Sequence, residues 1–308
     1  MPKQSKIRVI ARNSSKAAYF RETLNRVPGI WPVPILVNFG SMKPHPTFRG
    51  IIINPHHSVM RSSDKYAAKE NWEIFGEAGL PRHALPYGLV GEFKDSTGTW
   101  DMRALRQKYD NMKLIVKPRR SSGGRGIKVL DSCTGLLGLR QKDHYMVERY
   151  MEFNREYRIF VAPKLAGIEM IYRLNIHGQT ERHEYTRSNG SFFEIRKRLK
   201  AGFSLQTRNI AENPEAVYFS RDFQRPSCWE LMVYNAVKAA EIVGLDLAAV
   251  DIVYNTQTRD FVICEVNSNP GIDLTRNGGR PLSAQALETA LIKIITLKCA
   301  ELRQQSGL

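Results

Sequence analysis

Closely spaced cysteines are missing from this chain. Its four, Cys133, Cys228, Cys264 and Cys299, form no CxxC pair and have no histidine at zinc-ligand spacing. That excludes a disulfide scaffold or a zinc module as the organising principle and predicts reduced thiols. Long apolar runs are missing too. The first, Ile7 to Ala11, is far too short for a signal-peptide core or a membrane span, so a cytoplasmic protein with no membrane partner is expected. No internal repeat or low-complexity tract interrupts the chain. Acidic residues are few, 30 against 46 lysines and arginines, for a net charge of +16. The excess admits a nucleic acid or an acidic protein as a partner, but a nucleotide-binding enzyme also needs cations around its triphosphate, so charge alone selects neither. What is present is ordinary: 42% hydrophobic and 25% charged residues over 308 positions suit a soluble globular protein of two or three packed subdomains.

The apolar pattern predicts a mixed α/β chain. A strand over 7–11, a helix from Ser14 or Ser15 through Leu24 stopped by Pro28-Gly29, and strands at 35–37 and 51–53 make a small α/β unit. No GxGxxG follows the first strand, which removes support for dinucleotide binding. Ala68, Trp72 and Phe75 recur at helical spacing over 64–77, with Ser62 or Ser63 as the cap and Gly79 before Pro81 as the stop. Strands over 113–118 and 126–130 flank a Gly- and Ser-rich turn and read as a hairpin. Strand signals over 145–148, 157–162 and 168–174 suggest an antiparallel sheet, while the polar stretch 177–224 lacks periodicity and reads as long loops. A helix over 230–243, strands over 249–254 and 261–266, and a helix from 283 to 302 complete the chain.

Two constellations carry chemistry. In Ile115-Val116-Lys117-Pro118-Arg119-Arg120-Ser121-Ser122-Gly123-Gly124-Arg125-Gly126 a lysine ends a strand and a glycine-rich turn follows. Backbone amides in such a turn approach phosphate oxygens closely, and the lysine adds a point charge. It is not a Walker sequence, which needs GxxxxGK[ST] opening a helix; the plain alternative is a Gly-rich hairpin. The second constellation is Asp251 in Val250-Asp251-Ile252, followed by Glu265 and Asn267 in Cys264-Glu265-Val266-Asn267-Ser268-Asn269-Pro270-Gly271. Residues two apart on a strand share a face, so Glu265 and Asn267 project together and a paired strand brings Asp251 beside them. Three oxygen donors of this kind suit magnesium; the plain alternative is a strand that ends in an Asn-Pro-Gly turn.

Together the order and chemistry resemble the ATP-grasp superfamily over nearly the whole chain. Ser63-Asp64-Lys65 matches its first helix start, followed by Gly79-Leu80-Pro81; Lys117 to Gly126 matches its strand lysine and mobile loop; Val147-Glu148-Arg149-Tyr150-Met151 matches its hinge; and Asp251 with Glu265-x-Asn267-x-x-Pro270-Gly271 matches its metal and substrate motif. The resemblance implies an N-terminal α/β domain over 1–60, a small lobe over 61–147 and a C-terminal lobe over 148–308, the two lobes clamping ATP. It also implies roles. Lys65 and Lys117 hold the α- and β-phosphates, the loop with Ser121, Ser122, Gly123, Gly124 and Gly126 closes over the phosphates, Glu148 to Met151 meet adenine, and Glu156 binds the ribose, with Glu152 as its competitor. Asp251, Glu265 and Asn267 hold magnesium, two ions being expected and manganese being an acceptable substitute.

Local similarity is nearest to RimK-type amino acid ligases, through Ala236-Val237-Lys238-Ala239-Ala240 before Gly244-Leu245-Asp246, through Val250-Asp251-Ile252, and through Arg187-Ser188-Asn189. D-alanine ligases carry an arginine two positions before the metal-binding aspartate, where this chain has Ala249. The implied activity joins a carboxylate, most simply an amino acid, to an amine of a peptide, protein or other acceptor through an acyl phosphate. Arg158 and Arg173, and after them Arg187 and Asn189, are candidates for holding the carboxylate or acyl phosphate, since guanidinium forks suit oxyanions. Competing readings are an ATP-grasp kinase of a small hydroxyl compound and a nucleic-acid-binding protein with a degenerate ATP site. The run Arg196-Lys197-Arg198 with Lys200, among Phe192, Phe193 and Phe203, reads as a solvated basic face or a nucleic-acid contact. His56-His57 and His144 are read as solvated loop residues.

Overall fold

The computed structural model describes residues 7–11, 14–26, 31–121, 124–139, 143–167, 170–176, 179–186, 189–204, 214–271 and 282–306, with the backbone alone over 170–176 and 179–186. In chain order its elements are β1 (Ile7–Ala11), α1 (Ser14–Asn25), β2 (Ile35–Phe39), β3 (Ile51–Ile53), α2 (His56–Ser63), α3 (Lys65–Phe75), β4 (Tyr87–Leu89), α4 (Met102–Tyr109), β5 (Leu114–Pro118), β6 (Lys128–Leu130), β7 (Tyr145–Arg149), β8 (Arg155–Val161), β9 (Met170–Ile176), β10 (Gln179–Thr186), β11 (Ser191–Leu199), β12 (Val217–Ser220), α5 (Trp229–Ile242), β13 (Ala248–Tyr254), β14 (Phe261–Asn267) and α6 (Leu282–Ser306).

The first three strands form a parallel sheet in the order β1-β2-β3. Parallel neighbours need a crossover, which α1 supplies between β1 and β2. Strand β2, Ile-Leu-Val-Asn-Phe, is buried along its whole length, as a strand covered on both faces must be. Phe20 and Leu24 of α1 and Leu287, Leu291, Ile294 and Ile295 of α6 belong to the same apolar core as these strands, which runs on into Phe160, Phe193 and Leu247. Each such fully buried side chain stabilises the fold by roughly 1.5–3 kcal/mol. Asn54 adds a polar joint: its Oδ1 accepts from Asp246 N and Leu247 N at 2.9 and 3.1 Å, and its Nδ2 donates to Leu247 O at 2.8 Å. Lys298 of α6 closes the same joint on Asp246 at 2.8 Å.

A four-stranded antiparallel sheet, β4-β7-β5-β6, packs on α4 around Val90, Phe93, Leu105, Tyr109 and Val116. A five-stranded antiparallel sheet, β12-β11-β8-β13-β14, carries α5 on one face. Trp229, Met232, Val233, Ala236, Val237 and Ala240 recur every three or four residues along α5 and bury together. Gly244, at φ +79°, ends that helix, and a Cβ there would stand 2.8 Å from Ser58 Oγ of α2. Ala68 and Trp72 of α3 pack into this second core rather than into the small antiparallel sheet.

Four expectations are corrected. The stretch 177–224 holds β10, β11 and β12 rather than long loops; its period-two pattern is hidden because Lys197, an inward position of β11, is a charge. Strands over 145–148, 157–162 and 168–174 do not share a sheet: β7, β8 and β9 fall in three, since the chain leaves the four-stranded sheet after β7 and β9 pairs with β10 alone among the described strands. Residues 56–63 form α2, so His56 and His57 open a helix. The cap of α3 is Asp64, which accepts from Tyr66 N and Ala67 N at 3.2 and 3.3 Å, because Ser62 and Ser63 are spent in α2.

Candidate active site

Register builds the site. In the five-stranded sheet Glu156 stands opposite Lys197, Arg158 opposite Asp251, and Asp251 opposite Glu265. Alternation along each strand then puts Glu156, Arg158, Lys197, Asp251, Glu265 and Asn267 on one face, the same face that further along carries Phe160, Phe193 and Ala249 into the first core. This polar row ends at a cavity of about 550 Å³ lined by Lys65, Arg120, Ser121, Arg125, Glu265 and Asn267, with Gly40 at the end of β2 forming a wall.

Asp251 is saturated. Arg158 Nε donates to its Oδ1 and Arg158 Nη2 to its Oδ2, both at 2.8 Å, Lys197 Nζ lies 2.9 Å from Oδ1, and Asn267 Nδ2 donates to Oδ2 at 3.3 Å. A carboxylate has about four lone-pair sites, and all are taken. Burial alone raises the Asp251 pKa, but Arg158 and Lys197 outweigh it and hold the carboxyl well below the usual range. Lys197 also reaches Glu156 Oε1 at 2.7 Å, so it bridges two acids on neighbouring strands. Asn267 Nδ2 donates to Glu265 Oε1 at 3.1 Å. No group of three His, Cys, Asp or Glu side chains converges among the described residues, and of the three expected metal ligands Glu265 and Asn267 line the cavity while Asp251 does not.

The wall of the cavity that carries Lys65 is tied together at the start of α3. Asp64 accepts from Arg119 Nε at 3.0 Å and lies 2.8 Å from Arg119 Nη2, while Lys65 N donates to Arg119 O at 3.0 Å. Burial works to raise the Asp64 pKa, yet the hydrogen bonds from Arg119 and from the helix backbone hold it below the ordinary value. Lys65 Nζ donates to Ser121 O at 2.7 Å and stands 3.6 Å from Glu265 Oε2. The glycines supply the turn: Gly124 and Gly126 lie at φ +73° and +77°, and a Cβ on Gly126 would come 2.9 Å from Pro118 Cγ. Ser122 and Gly123 lie outside the described residues.

Beneath this loop sits a buried trio. Glu148 Oε1 is 2.5 Å from Lys117 Nζ and its Oε2 is 2.7 Å from Lys69 Nζ, with all three residues under 5% exposed. Burial opposes every charge here. Glu148 outweighs it for Lys117, whose pKa is raised, and the two lysines outweigh it for Glu148, whose pKa is lowered; for Lys69 burial prevails and the pKa is lowered.

Residues 149–151, the expected hinge, follow as the chain leaves β7. Arg149 N donates to Pro86 O at 3.0 Å, Tyr150 N to Lys113 O at 2.8 Å, and Lys113 Nζ lies 5.2 Å from the centre of the Tyr150 ring. Met151 follows, half-buried. Asn189 is not brought to the polar row: it donates to Glu230 Oε2 at 3.0 Å and accepts from Ser191. Ile195 pairs with Arg158, and Asn189 lies six positions earlier, roughly 20 Å along a strand. Arg173 lies on β9, opposite Arg182 of β10, a strand pair outside the five-stranded sheet, and its side chain, like Arg187, falls outside the described residues. Phe192 and Phe193 are buried in the first core and Lys197 points inward, while Arg198 and Lys200 of the basic run are exposed.

Sequence reasoning missed Lys69, Lys197 and Lys16. Lys69 was readable, four residues after Lys65 on one helix face. Lys197 required the strand. Lys16, on α1, donates to Asn269 Oδ1 at 2.8 Å and Pro270 O at 2.7 Å, across more than 250 residues of sequence; nothing local signals it. Burial first, and the nearby Arg158 charge second, bring its pKa down to about 7.

No family model and no curated protein matches the sequence, but solved structures match the fold. D-alanyl-alanine synthetase A from Vibrio cholerae superposes with a TM-score of 0.59 at 13% identity, over 97% of this chain and 99% of that one. A D-alanine–D-alanine ligase from Bacillus anthracis gives 0.57 at 12%, over 99% and 100%. A structure of that ligase complexed with ATP gives 0.55 at 13%, over 98% and 99%. With the sheets, the loop and the polar row arranged as described, this near-complete overlap with ATP-grasp enzymes assigns the chain to the ATP-grasp fold.

Proposed function

We propose that this protein is an ATP-dependent carboxylate–amine ligase working through an acyl phosphate. The observation that carries the reading is the single cavity in which Lys65 and the phosphate loop face Glu265 and Asn267. Phosphate-binding cations on one wall and hard oxygen donors on the other are what a metal-bound triphosphate requires. Glu265 and Asn267 would hold magnesium, which would supply charge neutralisation at the triphosphate; Asp251, its oxygens already taken by Arg158, Lys197 and Asn267, would orient the Asn267 carboxamide. The chain's own residues do the rest. Lys65 and Lys117 bind phosphate oxygens, and the turn around Gly124 and Gly126 presents backbone amides. Arg158 and Lys197 carry positive charge to the end of the polar row, where an oxyanion develops.

In the reaction a carboxylate oxygen attacks the γ-phosphorus, the bond to the β–γ bridging oxygen breaks and ADP leaves. An amine then attacks the acyl carbon, releasing phosphate and a proton as the amide forms. Glu156, pinned by Lys197 at the edge of the cleft, and the hinge 148–151 are proposed for ribose and adenine. Ala249, two residues before Asp251 on β13 and fully buried, supports a RimK-like amino acid ligase over dipeptide synthesis of the D-alanine type, with a peptide or protein amine as acceptor.

ADP release measured with ATP, Mg²⁺ and pools of amino acids, peptides and nucleic acid tests this reading, with Glu265→Ala as control. Release that needs both an acid and an amine, and disappears in the control, is expected. Phosphorylation of a single hydroxyl substrate would instead show a kinase, and ATP binding without turnover in any pool would turn the reading toward a binding module.

A further inference from the structure

The trio of Lys69, Glu148 and Lys117 holds two ammonium groups and one carboxylate in a pocket closed to water. One lysine would suffice to pair Glu148. The second leaves the group with a net charge of +1, and that charge lies directly under the strand that leads into the phosphate loop. Lys117 ends β5 and Glu148 lies opposite Ile115 on β7. Lys69 arrives from a different body, α3, on the helix face of Lys65. It lies 5.6 Å from the centre of the Tyr87 ring, and Tyr87 is itself tied to Glu73 by a 2.8 Å hydrogen bond.

Glu148 facing Lys117 alone would form a neutral pair, and in a dry site such a pair holds its lysine against any competing anion. The Lys69 charge divides the attraction of Glu148 between two cations. We infer that Lys69 is a positioning residue for the triphosphate: it occupies Oε2 of Glu148 and leaves Lys117 with positive charge to offer a phosphate. Lys69 need not touch the nucleotide. The inference rests on the ATP reading above and deepens it by assigning the discrimination among phosphate numbers to a residue outside the cavity lining.

The test is a binding series by calorimetry with adenosine, ADP and ATP on purified Lys69→Met, Lys69→Gln, Lys69→Arg and the double variant Lys69→Met/Glu148→Gln. Wild-type protein that fails to bind ATP would remove the ATP reading itself, independently of Lys69. Given wild-type binding, the neutral variants should lose roughly ten-fold in ATP affinity, the scale of one partly screened charge a few ångströms away, with adenosine affinity unchanged. Lys69→Arg should keep the wild-type ratio. The double variant, again at net +1, should recover the preference for ATP over adenosine by a double-mutant cycle. Equal losses for adenosine and ATP, or a double variant with no recovery of the ratio, would make Lys69 a structural ion pair and overturn the inference. Failure of every Lys69 variant to fold, read by circular dichroism, would overturn it as well.

Discussion

Arg158 and Asp251 meet across neighbouring strands by two hydrogen bonds of 2.8 Å each, a guanidinium fork laid against a carboxylate that Lys197 also touches. Removing the fork leaves a buried carboxylate with half its partners. Arg158→Leu should therefore lower stability by about 3 kcal/mol and abolish turnover, whereas Arg158→Lys, which keeps the charge and loses the fork, should cost less stability and still impair turnover. Urea denaturation alongside ADP release separates the two effects; equal stability of all three proteins would show that the pair contributes nothing to the fold.

Lys16 makes stability depend on pH in a definite window. Its folded pKa of about 7 lies below the ordinary 10.5, so between those values the unfolded chain binds a proton that the folded one does not. Stability from this group is complete above the unfolded value and is lost as pH falls toward 7. The urea midpoint of the wild type should rise with pH across the window relative to that of Lys16→Met. Parallel pH curves for the two proteins would refute the assignment.

Gly40 lies at φ +81°, and a Cβ there would stand 2.8 Å from Asn269 Cβ. Gly40→Ala should destabilise by about 1–2 kcal/mol and push the Ser268–Pro270 turn. The turn follows Glu265 and Asn267 directly in sequence and is proposed to line the acceptor side, so the acceptor KM should rise several-fold while ATP affinity stays as in the wild type. A change in ATP affinity alone would place the turn on the nucleotide side instead.

Asn54 is 1% exposed, at φ 56°, and its carboxamide satisfies three backbone groups of residues 246–247. Asn54→Ala strands those groups and keeps the unfavourable backbone, at a cost of roughly 3 kcal/mol. Thermal unfolding should show a lowered Tm with no change in nucleotide preference among the molecules still folded.

Much of the architecture was legible where apolar periodicity and turn chemistry agree. The parallel start over 7–53, the hairpin around the glycine loop, α5 and the β13–β14 pair all follow from short-range pattern, and the facing of Asp251 and Glu265 follows from strand alternation. The misses share a cause. In β11 the inward residue is a lysine satisfied by acids from β8 and β13, so hydrophobic patterning has nothing to register. In α2 only Val59, Ser58 and Ser62 are buried, too few apolar positions to announce a helix. Lys16 and Lys69 acquire their partners across sheets and lobes, and no spacing along the chain encodes such a meeting.

The helix that carries Lys65 and Lys69 is rooted by Ala68 and Trp72 in the core under α5, whereas Lys117 and Glu148 belong to the small sheet with its own core. The two cations proposed to grip one triphosphate are thus mounted on separate bodies, stitched by Asp64–Arg119 outside and Lys69–Glu148 inside. Ring packing of Tyr66 on Tyr87 adds a third join between the same bodies. The ion pairs then act as a tether of fixed length between the two bodies, and they hold Lys65 and Lys117 at one separation.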